Sequence, residues 1–306
     1  MTSFVQCHEL GRVGPMVLGA VQLGLNYGVA NNAGKPSRES AHEILCMAWL
    51  RGVRAIDTAQ AYGDSEAIIG EHLERYPDHS FHIFSKINPG VDHRDASSVL
   101  NAARSSYQRI AKPLASLMMH NADALHLWDE GLGQAMKRCL DAGFAETLGV
   151  SIYTPEQFRA ALSIPELRVI QAPFNVLDRR LLESGLLERA LDAGRVVVLR
   201  SVYLQGLLLM DADQLPVPMH FAAEDVRGWE NLCASHDCAK ALAAIQYVRH
   251  AVPNALLVIG CERTDQLLAN LSLLASPAFP AGMKEAIESL KMPDERVINP
   301  SLWPKR

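Results

Sequence analysis

Short apolar runs alternate along the chain with segments whose apolar residues recur every three to four positions. Apolar runs of about four to eight residues are typical of strands buried on both faces, and the longer spacing is typical of amphipathic helices. The alternation predicts eight strands separated by helices. The predicted strands cover 16–21, 53–57, 81–86, 114–120, 148–151, 169–172, 196–200 and 255–260.

The predicted helices begin and end at residues that commonly bound helices. Ser37 can cap the first of them, and Gly52 can end it. The sequence TPEQ at 154–157 matches a capping box with proline at the first helical position. Thr264 is expected to cap the helix after the eighth strand. The other predicted helices cover 65–75, 95–110, 132–142, 181–193, 239–250 and 283–290.

Eight strand–helix units in regular order define the expected fold. Parallel neighbours in a sheet are joined by crossovers, usually helices, so the alternation implies a parallel sheet. We therefore expect an α/β protein: a (β/α)8 TIM barrel with an N-terminal hairpin and an extra C-terminal helix, formed by residues 1–306 as one domain. A doubly wound open sheet is the competing fold, but its G-x-G-x-x-G fingerprint after the first strand is absent from this sequence.

Composition narrows the possible partners. The chain has 306 residues, a hydrophobic fraction of 49% and a net charge of −5. This apolar content can form a large core, and a mildly acidic chain without basic blocks is a poor ligand for nucleic acid or anionic membranes. No apolar run approaches the ~18 residues of a membrane span, and the N-terminus lacks a signal peptide. We expect a cytoplasmic protein, a monomer or a weak homo-oligomer, that binds neither nucleic acid nor membrane.

The six cysteines are scattered and contain no C-x-x-C motif. In a chain of this length they are typical of reduced thiols rather than of a disulfide framework. Cys233, His236 and Cys238 lie close together in the sequence, but their spacing fits no common zinc pattern. The sequence therefore gives no reason to expect a metal.

Polar residues at the ends of the predicted strands carry the candidate chemistry, because functional groups of barrels lie at the C-terminal ends of strands. A carboxylate can hold an ammonium, the ammonium can lower the pKa of a phenol, and a histidine can orient a carbonyl group. The phenol would then be a general acid, and a reduced cofactor would have to supply the hydride. The strand-end residues are Asp57, Lys86, His120, Ser151, Gln171 and Arg200, with Tyr62 in the loop after Asp57.

The segment IDTAQAYGDSE at 56–66 resembles the signature of the aldo-keto reductase family. The motifs SK at 85–86, MHN at 119–121, GVS at 149–151 and QAPFN at 171–175 follow in that family's order. The resemblance covers nearly the whole chain. It implies a (β/α)8 barrel that binds NADP(H), or sometimes NAD(H), without a Rossmann fold. By the same resemblance Tyr62 is the proton donor, Lys86 and Asp57 tune it, and His120 orients the substrate carbonyl.

The resemblance also places the nicotinamide end of the cofactor. Ser151 and Gln171 stand where the family holds the carboxamide, although Ile152 replaces the usual asparagine beside the serine. Arg200 takes the place of an aromatic residue that commonly stacks on the nicotinamide. It could stack or hydrogen-bond there, or it could instead pair with an acidic loop. Ser201 and Gly206 are the candidates for a clasp over the pyrophosphate.

The adenosine end departs from the family pattern. Gly260 and Gln266 occupy positions where many relatives carry Lys and Arg for the 2'-phosphate, while Arg263 could still pair with a phosphate and Asn270 is retained. Glu262 is acidic at this end. The resemblance to the family favours NADP(H) as the cofactor, and NAD(H) stays possible.

The expected activity is NAD(P)H-dependent reduction of an aldehyde, ketone or sugar-like carbonyl. Gln22, Asn26 and Tyr27 are predicted to line the substrate pocket, and Tyr27 is a rival phenol without a lysine at a comparable strand end. Two alternatives stay open: an NAD-dependent aldose or alcohol dehydrogenase that uses the same residues, and a non-catalytic regulatory subunit that senses nucleotide.

Overall fold

Eight parallel strands form a closed barrel in the computed structural model, which describes residues 5–7, 11–277 and 279–304. The barrel order is β10-β3-β4-β5-β6-β7-β8-β9, and β1 and β2 form a separate antiparallel hairpin. The predicted TIM barrel and its N-terminal hairpin are therefore confirmed. The strands are β1 Val5–Cys7, β2 Gly11–Val13, β3 Met16–Gly19, β4 Ala55–Asp57, β5 His82–Ile87, β6 Ser116–Met119, β7 Leu148–Ser151, β8 Leu167–Pro173, β9 Val196–Arg200 and β10 Leu256–Gly260.

Helices connect the barrel strands on the outside, as parallel crossovers require. The helices of the described residues are α1 Val21–Gly24, α2 Arg38–Leu50, α3 Ser65–Arg75, α4 Ala96–Ile110, α5 Leu132–Asp141, α6 Pro155–Leu162, α7 Arg180–Glu183, α8 Leu186–Asp192, α9 Ala223–Ser235, α10 Lys240–Ala251, α11 Thr264–Ala275, α12 Met283–Ser289 and α13 Glu295–Ile298, and the last three follow the final strand. Short 3₁₀ segments add Ala122–Glu130, Leu204–Leu209, Ala212–Gln214, Val217–Ala222 and Pro300–Leu302.

Two of the predicted helix starts are confirmed by their caps. The Ser37 side chain accepts a hydrogen bond from the Ser40 amide, and Thr154 and Gln157 form both halves of a capping box. Thr264 was expected to cap α11, but this is wrong. The helix begins at Thr264 itself, and Arg263 stands at the N-cap without a side-chain cap hydrogen bond.

Other helix and strand boundaries differ from those predicted from the sequence, and each difference has a local cause. The first barrel strand ends at Gly19 rather than at position 21, because Val21 already starts α1. The helix predicted over 181–193 is two helices, because Gly185 adopts a left-handed conformation with φ of 68° between them. The long connection after β9 contains α9, which the sequence analysis did not predict.

The barrel interior is built in layers, since side chains two residues apart on a strand point to the same side. Val17, Ala55 and Phe84 belong to a fully buried apolar cluster inside the barrel. One inward position further on, towards the C-terminal ends of the strands, the apolar layer gives way to glycine and polar residues. The members of this upper layer are Gly19, Asp57, Lys86, His120, Ser151, Gln171, Arg200 and Gly260.

No helix in the described part of the chain is both long and apolar enough to cross a membrane. The cysteines at 46, 139, 233, 238 and 261 are free thiols.

Candidate functional site

An ion pair from neighbouring strands lies at the base of the upper layer. Lys86 Nζ donates to Asp57 Oδ1 over 2.6 Å and to the backbone oxygen of Thr58 over 2.9 Å. The Lys86 side chain has no exposed surface, and that of Asp57 is 6% exposed. Burial lowers the pKa of Lys86, and the adjacent Asp57 carboxylate opposes that shift. The pair therefore lies at the base of the upper layer with almost no contact with water.

A third residue joins this pair from the far side of the barrel. The Gln171 amide nitrogen donates to Asp57 Oδ1 over 2.6 Å, so the carboxylate oxygen serves two donors. The Gln171 side-chain oxygen is buried and has no hydrogen-bond partner. β7 and β8 pair Ser151 with Gln171 in register, so the two residues are neighbours on adjacent strands. Both residues line the pocket described below.

Tyr62 is held over the pair by a loop with little freedom. Thr58 Oγ1 and Ser65 Oγ are 2.8 Å apart, and Ser65 Oγ donates to the backbone oxygen of Ala20. A Cβ at Gly24 would lie 1.8 Å from the Tyr62 backbone oxygen, so only glycine permits this approach of α1 to the loop. The Lys86 Nζ atom lies 5.1 Å from the centroid of the Tyr62 ring.

The charge on Lys86 does not make Tyr62 acidic here. The Tyr62 pKa is raised above its ordinary value, first by burial and then by the Asp57 carboxylate, with Arg200 opposing. The sequence predicts that the ammonium lowers this pKa. The pKa is raised instead, because desolvation dominates. The phenol consequently keeps its proton at neutral pH.

His120 stands beside Tyr62. The two rings meet edge to face, with centroids 5.6 Å apart and an angle of 84° between the planes. Burial, together with the charges of Lys86 and Arg200, lowers the pKa of His120 to about 3. The imidazole is therefore neutral at neutral pH, and its buried Nδ1 has no hydrogen-bond partner. Such a group can still bond to a polar ligand atom.

Arg200 stacks on Tyr153, a residue that the sequence analysis did not select. The guanidinium carbon lies 4.2 Å from the Tyr153 ring centroid. Its nitrogens donate to the Ile152 backbone oxygen over 2.9 Å and to Ser201 Oγ over 3.3 Å. Within the described residues Arg200 forms no ion pair, so the alternative of an acidic loop partner is wrong. Tyr153 follows Ser151 by two residues, and this closeness to a strand-end residue is the sequence feature that could have identified it as part of the site.

A pocket of about 360 Å³ opens above these residues. Two loops meet at its wall, because the Val29 amide donates to the Gln205 backbone oxygen over 3.0 Å. Gly206 has φ of 91°, and a Cβ there would lie 2.6 Å from that of Ala30. Glycine at 206 therefore allows the segment after β9 to lie against the segment after α1.

The far end of the pocket is formed by β10 and α11. A Cβ at Gly260 would lie 2.3 Å from Gln22 Oε1, so the Gln22 side chain fills the space that a longer residue would need. Gln266 accepts a hydrogen bond from the Glu262 amide, and the Tyr203 hydroxyl donates to Asn270 Oδ1 over 3.0 Å. Gln22 Oε1 is buried and has no partner.

Most of the predicted site residues line this one pocket. Those that do are Gln22, Tyr27, Asp57, Tyr62, His120, Ser151, Gln171, Arg200, Ser201, Gly206, Gly260, Gln266 and Asn270. Lys86 lies beneath the pocket floor, while Asn26 is exposed and is not part of the lining. Arg263 is also outside the lining, and its guanidinium makes a bidentate pair with Asp265. Lining residues that the sequence did not indicate include Tyr153, Tyr203 and Gln205, and the acidic Glu262 also lines the pocket.

Comparison with known proteins identifies the family to which this chain belongs. A model of the aldo/keto reductase family matches residues 15–291, and the chain belongs to this family. Its members are oxidoreductases that use NAD(P)H and act on small carbonyl compounds. The family resemblance seen in the sequence is therefore confirmed.

Individual relatives are distant. The chain is 23% identical over 296 residues to the NADH-specific methylglyoxal reductase of Escherichia coli K12, an alignment covering 84% of this chain and 90% of that protein. Among solved structures, an aldo-keto reductase from Bacillus halodurans superposes with a TM-score of 0.74 at 18% identity, covering 94% and 96% of the two chains. The glycerol dehydrogenase of Gluconobacter oxydans gives the same TM-score and identity, with 94% of each chain covered. At this identity the structural matches establish the fold alone.

Proposed function

We propose that this protein reduces the carbonyl group of a small aldehyde, ketone or sugar-like substrate, with Tyr62 as the proton donor. One observation carries the proposal. Tyr62 and His120 meet edge to face at the pocket wall, directly above the buried pair of Lys86 and Asp57. Two neutral donors and a buried cation thus converge where a carbonyl oxygen could accept a proton and develop negative charge.

Each side chain has a definite part in this scheme. Tyr62 holds its proton at neutral pH because its pKa is raised, so it enters the reaction in the form that an acid needs. His120 is neutral and can donate one hydrogen bond that fixes the carbonyl oxygen. The Lys86 ammonium stabilises negative charge as it develops on the phenol oxygen, and Asp57 keeps that ammonium charged and oriented.

The residues present fit a nicotinamide dinucleotide. The unpartnered oxygen of Gln171 matches the donor group of a carboxamide, with Ser151 beside it. Arg200 is the proposed contact at the nicotinamide end, Ser201 and Gly206 are the proposed contacts for the pyrophosphate, and Gln266, Asn270 and Gly260 border the proposed adenosine end. When bound, the reduced nicotinamide supplies the hydride.

We propose NADH as the preferred cofactor, against the preference for NADPH expected from the family. Gln22 occupies the space beside Gly260, and Glu262 adds a negative charge to the pocket lining. Arg263 is exposed and already paired with Asp265, which leaves it a weak partner for a 2'-phosphate. The distant methylglyoxal reductase of E. coli is NADH-specific by name, which agrees with this choice.

The dehydrogenase alternative would use the same residues, because proton transfer through Tyr62 is microscopically reversible. Gln22 and Tyr27 line the pocket on the side of the loop after β3 and are the proposed substrate contacts. Asn26 lies outside the lining and is not included.

The test is reductase activity of the purified protein with NADH and NADPH over a panel of aldehydes and ketones that includes methylglyoxal. Tyr62→Phe should lower kcat by at least about 100-fold, in keeping with the loss of general acid catalysis. Tyr27→Phe is the matched control, because it removes a second phenol from the same pocket. As a proposed substrate contact it should raise KM but retain kcat within about tenfold. Nucleotide binding, followed by fluorescence, should persist in both variants.

Unchanged turnover in Tyr62→Phe would exclude the role given to that residue. Loss of turnover in Tyr27→Phe alone would transfer the role to Tyr27. Tight nucleotide binding without reduction of any carbonyl in the panel would favour the regulatory alternative.

A further inference from the structure

A second cluster of reactive side chains lies outside the barrel, where α2 packs on α3. Cys46 is on the C-terminal half of α2, His72 is on α3, and His79 lies between α3 and β5. The barrel helices run antiparallel to the strands, so these helix ends lie near the N-terminal ends of the strands. The cluster is therefore at the opposite end of the barrel from the pocket.

The three side chains bring their donor atoms together. Cys46 Sγ and one ring nitrogen of each histidine all lie within 4.8 Å of one another. His72 Nε2 and His79 Nδ1 are 3.0 Å apart and share a hydrogen bond. In a tetrahedral zinc site with ordinary bond lengths, neighbouring ligand atoms lie roughly 3.3–3.6 Å apart. Small side-chain rotations would therefore bring the three atoms around one ion.

Two buried histidine ring nitrogens in this region have no hydrogen-bond partner. His72 is fully buried, and its Nδ1 atom has no hydrogen-bond partner. The nearby His42 Nδ1 is also buried without a partner, and the His42 ring stacks on that of His72 at 5.6 Å. Buried polar nitrogens of folded proteins normally have partners, so two such atoms in one place require an explanation.

Aromatic packing fixes the rings in place. His79 lies between Trp49 and Tyr76, with centroid distances of 5.2 and 5.0 Å and nearly parallel planes. His72 is fully buried, and the neutral imidazole is the form that binds metals. The apolar walls give this small polar group the surroundings typical of a preformed metal site.

We propose that Cys46, His72 and His79 form a zinc-binding site on the outside of the barrel, remote from the pocket. One thiolate and two imidazoles are ligands that zinc prefers and that magnesium and calcium do not. Water completes the fourth position. Binding releases the Cys46 proton to solvent as the Sγ–Zn bond forms, and no electron is transferred. This site does not depend on the proposed reductase activity.

Direct binding tests the proposal. Tag-free protein, stripped with a chelator, is titrated with Zn²⁺ in the presence of a competing metal indicator. One ion should bind per chain, and Cys46→Ser and His79→Gln should each weaken binding by about tenfold or more. Cys238→Ser is the matched control: it removes a different free thiol, one with a histidine two residues before it, and should bind zinc as the wild type does.

Cobalt gives an independent spectroscopic readout. Co²⁺ bound at this site should show a near-ultraviolet sulfur-to-cobalt charge-transfer band, and Cys46→Ser should lack the band. Thermal unfolding of each variant in chelator verifies that it folds; zinc should raise the Tm of the wild type and of Cys238→Ser only. Absence of stoichiometric zinc binding, or zinc binding unaffected by Cys46→Ser, would overturn the proposal.

Discussion

Asp57 and Lys86 are joined by a 2.6 Å ion pair in which neither side chain has appreciable contact with water. A buried charge that loses its partner is strongly destabilising, because the desolvation cost is no longer compensated. The pair therefore ties the stability of the barrel to the residues proposed for catalysis.

Lys86→Met should lower the free energy of unfolding by about 3 kcal/mol or more, since it leaves the Asp57 carboxylate buried and alone. The double variant Asp57→Asn/Lys86→Met should regain much of that loss. Removing the exposed pair of Arg94 and Glu130, whose side chains are 65% and 59% exposed, should cost about 1 kcal/mol or less. Urea denaturation measures all three, and equal losses for the buried and exposed pairs would contradict the prediction.

The close approach of Gly24 to the Tyr62 loop predicts that a larger residue at position 24 disturbs the loop. Gly24→Ala places a Cβ 1.8 Å from the Tyr62 backbone oxygen, so the loop must shift. We expect a loss of several kcal/mol in stability, or a large loss of reductase activity where the loop yields instead. Gly228→Ala in α9 is the control: a Cβ there meets nothing within 4 Å, and it should stabilise by about 0.5–1 kcal/mol. Thermal unfolding and activity assays of both variants check this.

His120 should make the protein less stable in mild acid. Its pKa is about 3 in the folded state and about 6.5 in an unfolded chain, so below about pH 6.5 the unfolded state takes up the proton first. Stability is present above that pH and is lost as the pH falls towards about 3, at most about 1.4 kcal/mol per pH unit.

The variant His120→Gln isolates this effect, because His72 also has a lowered pKa and stays in place. The free energy of unfolding, measured at about pH 7 and about pH 5, should fall less in His120→Gln than in the wild type. Equal losses in the two proteins would show that His120 does not titrate as described.

The choice of cofactor is predicted to depend on Glu262. Its carboxylate adds negative charge to the end of the pocket where a 2'-phosphate would lie. Glu262→Gln should tighten NADPH binding by about three- to tenfold at low salt while leaving NADH nearly unchanged, and the gain should shrink as salt is added. Fluorescence titrations with both nucleotides provide the comparison. A parallel gain for NADH would point to general charge removal rather than to a phosphate contact.

The sequence predicted those parts of the fold that depend on interactions between residues a few positions apart. The capping box at 154–157 and the limits of α3 and β9 were correct because caps and apolar runs act within a few residues. The helix α9 was missed because Gly228 and several polar residues interrupt its apolar stripe. The split at Gly185 is set by a backbone conformation that helical periodicity does not report.

Some features of the candidate site could likewise be predicted from the sequence, and others could not. Strand-end positions were sufficient to select Asp57, Lys86 and His120. The raised pKa of Tyr62 was not predictable, because it depends on how much water the folded pocket excludes. Likewise, only the packing of α2 on α3 brings Cys46 next to His72.

The hydrogen bond from Gln171 to Asp57 spans 114 positions of the chain. It can form only after β4 and β8 have taken their places in one closed ring. Recovery of the proposed reductase activity after dilution from denaturant should therefore follow closure of the barrel rather than the appearance of helices. Fragments that contain only half of the strands should remain inert until they are mixed and associate.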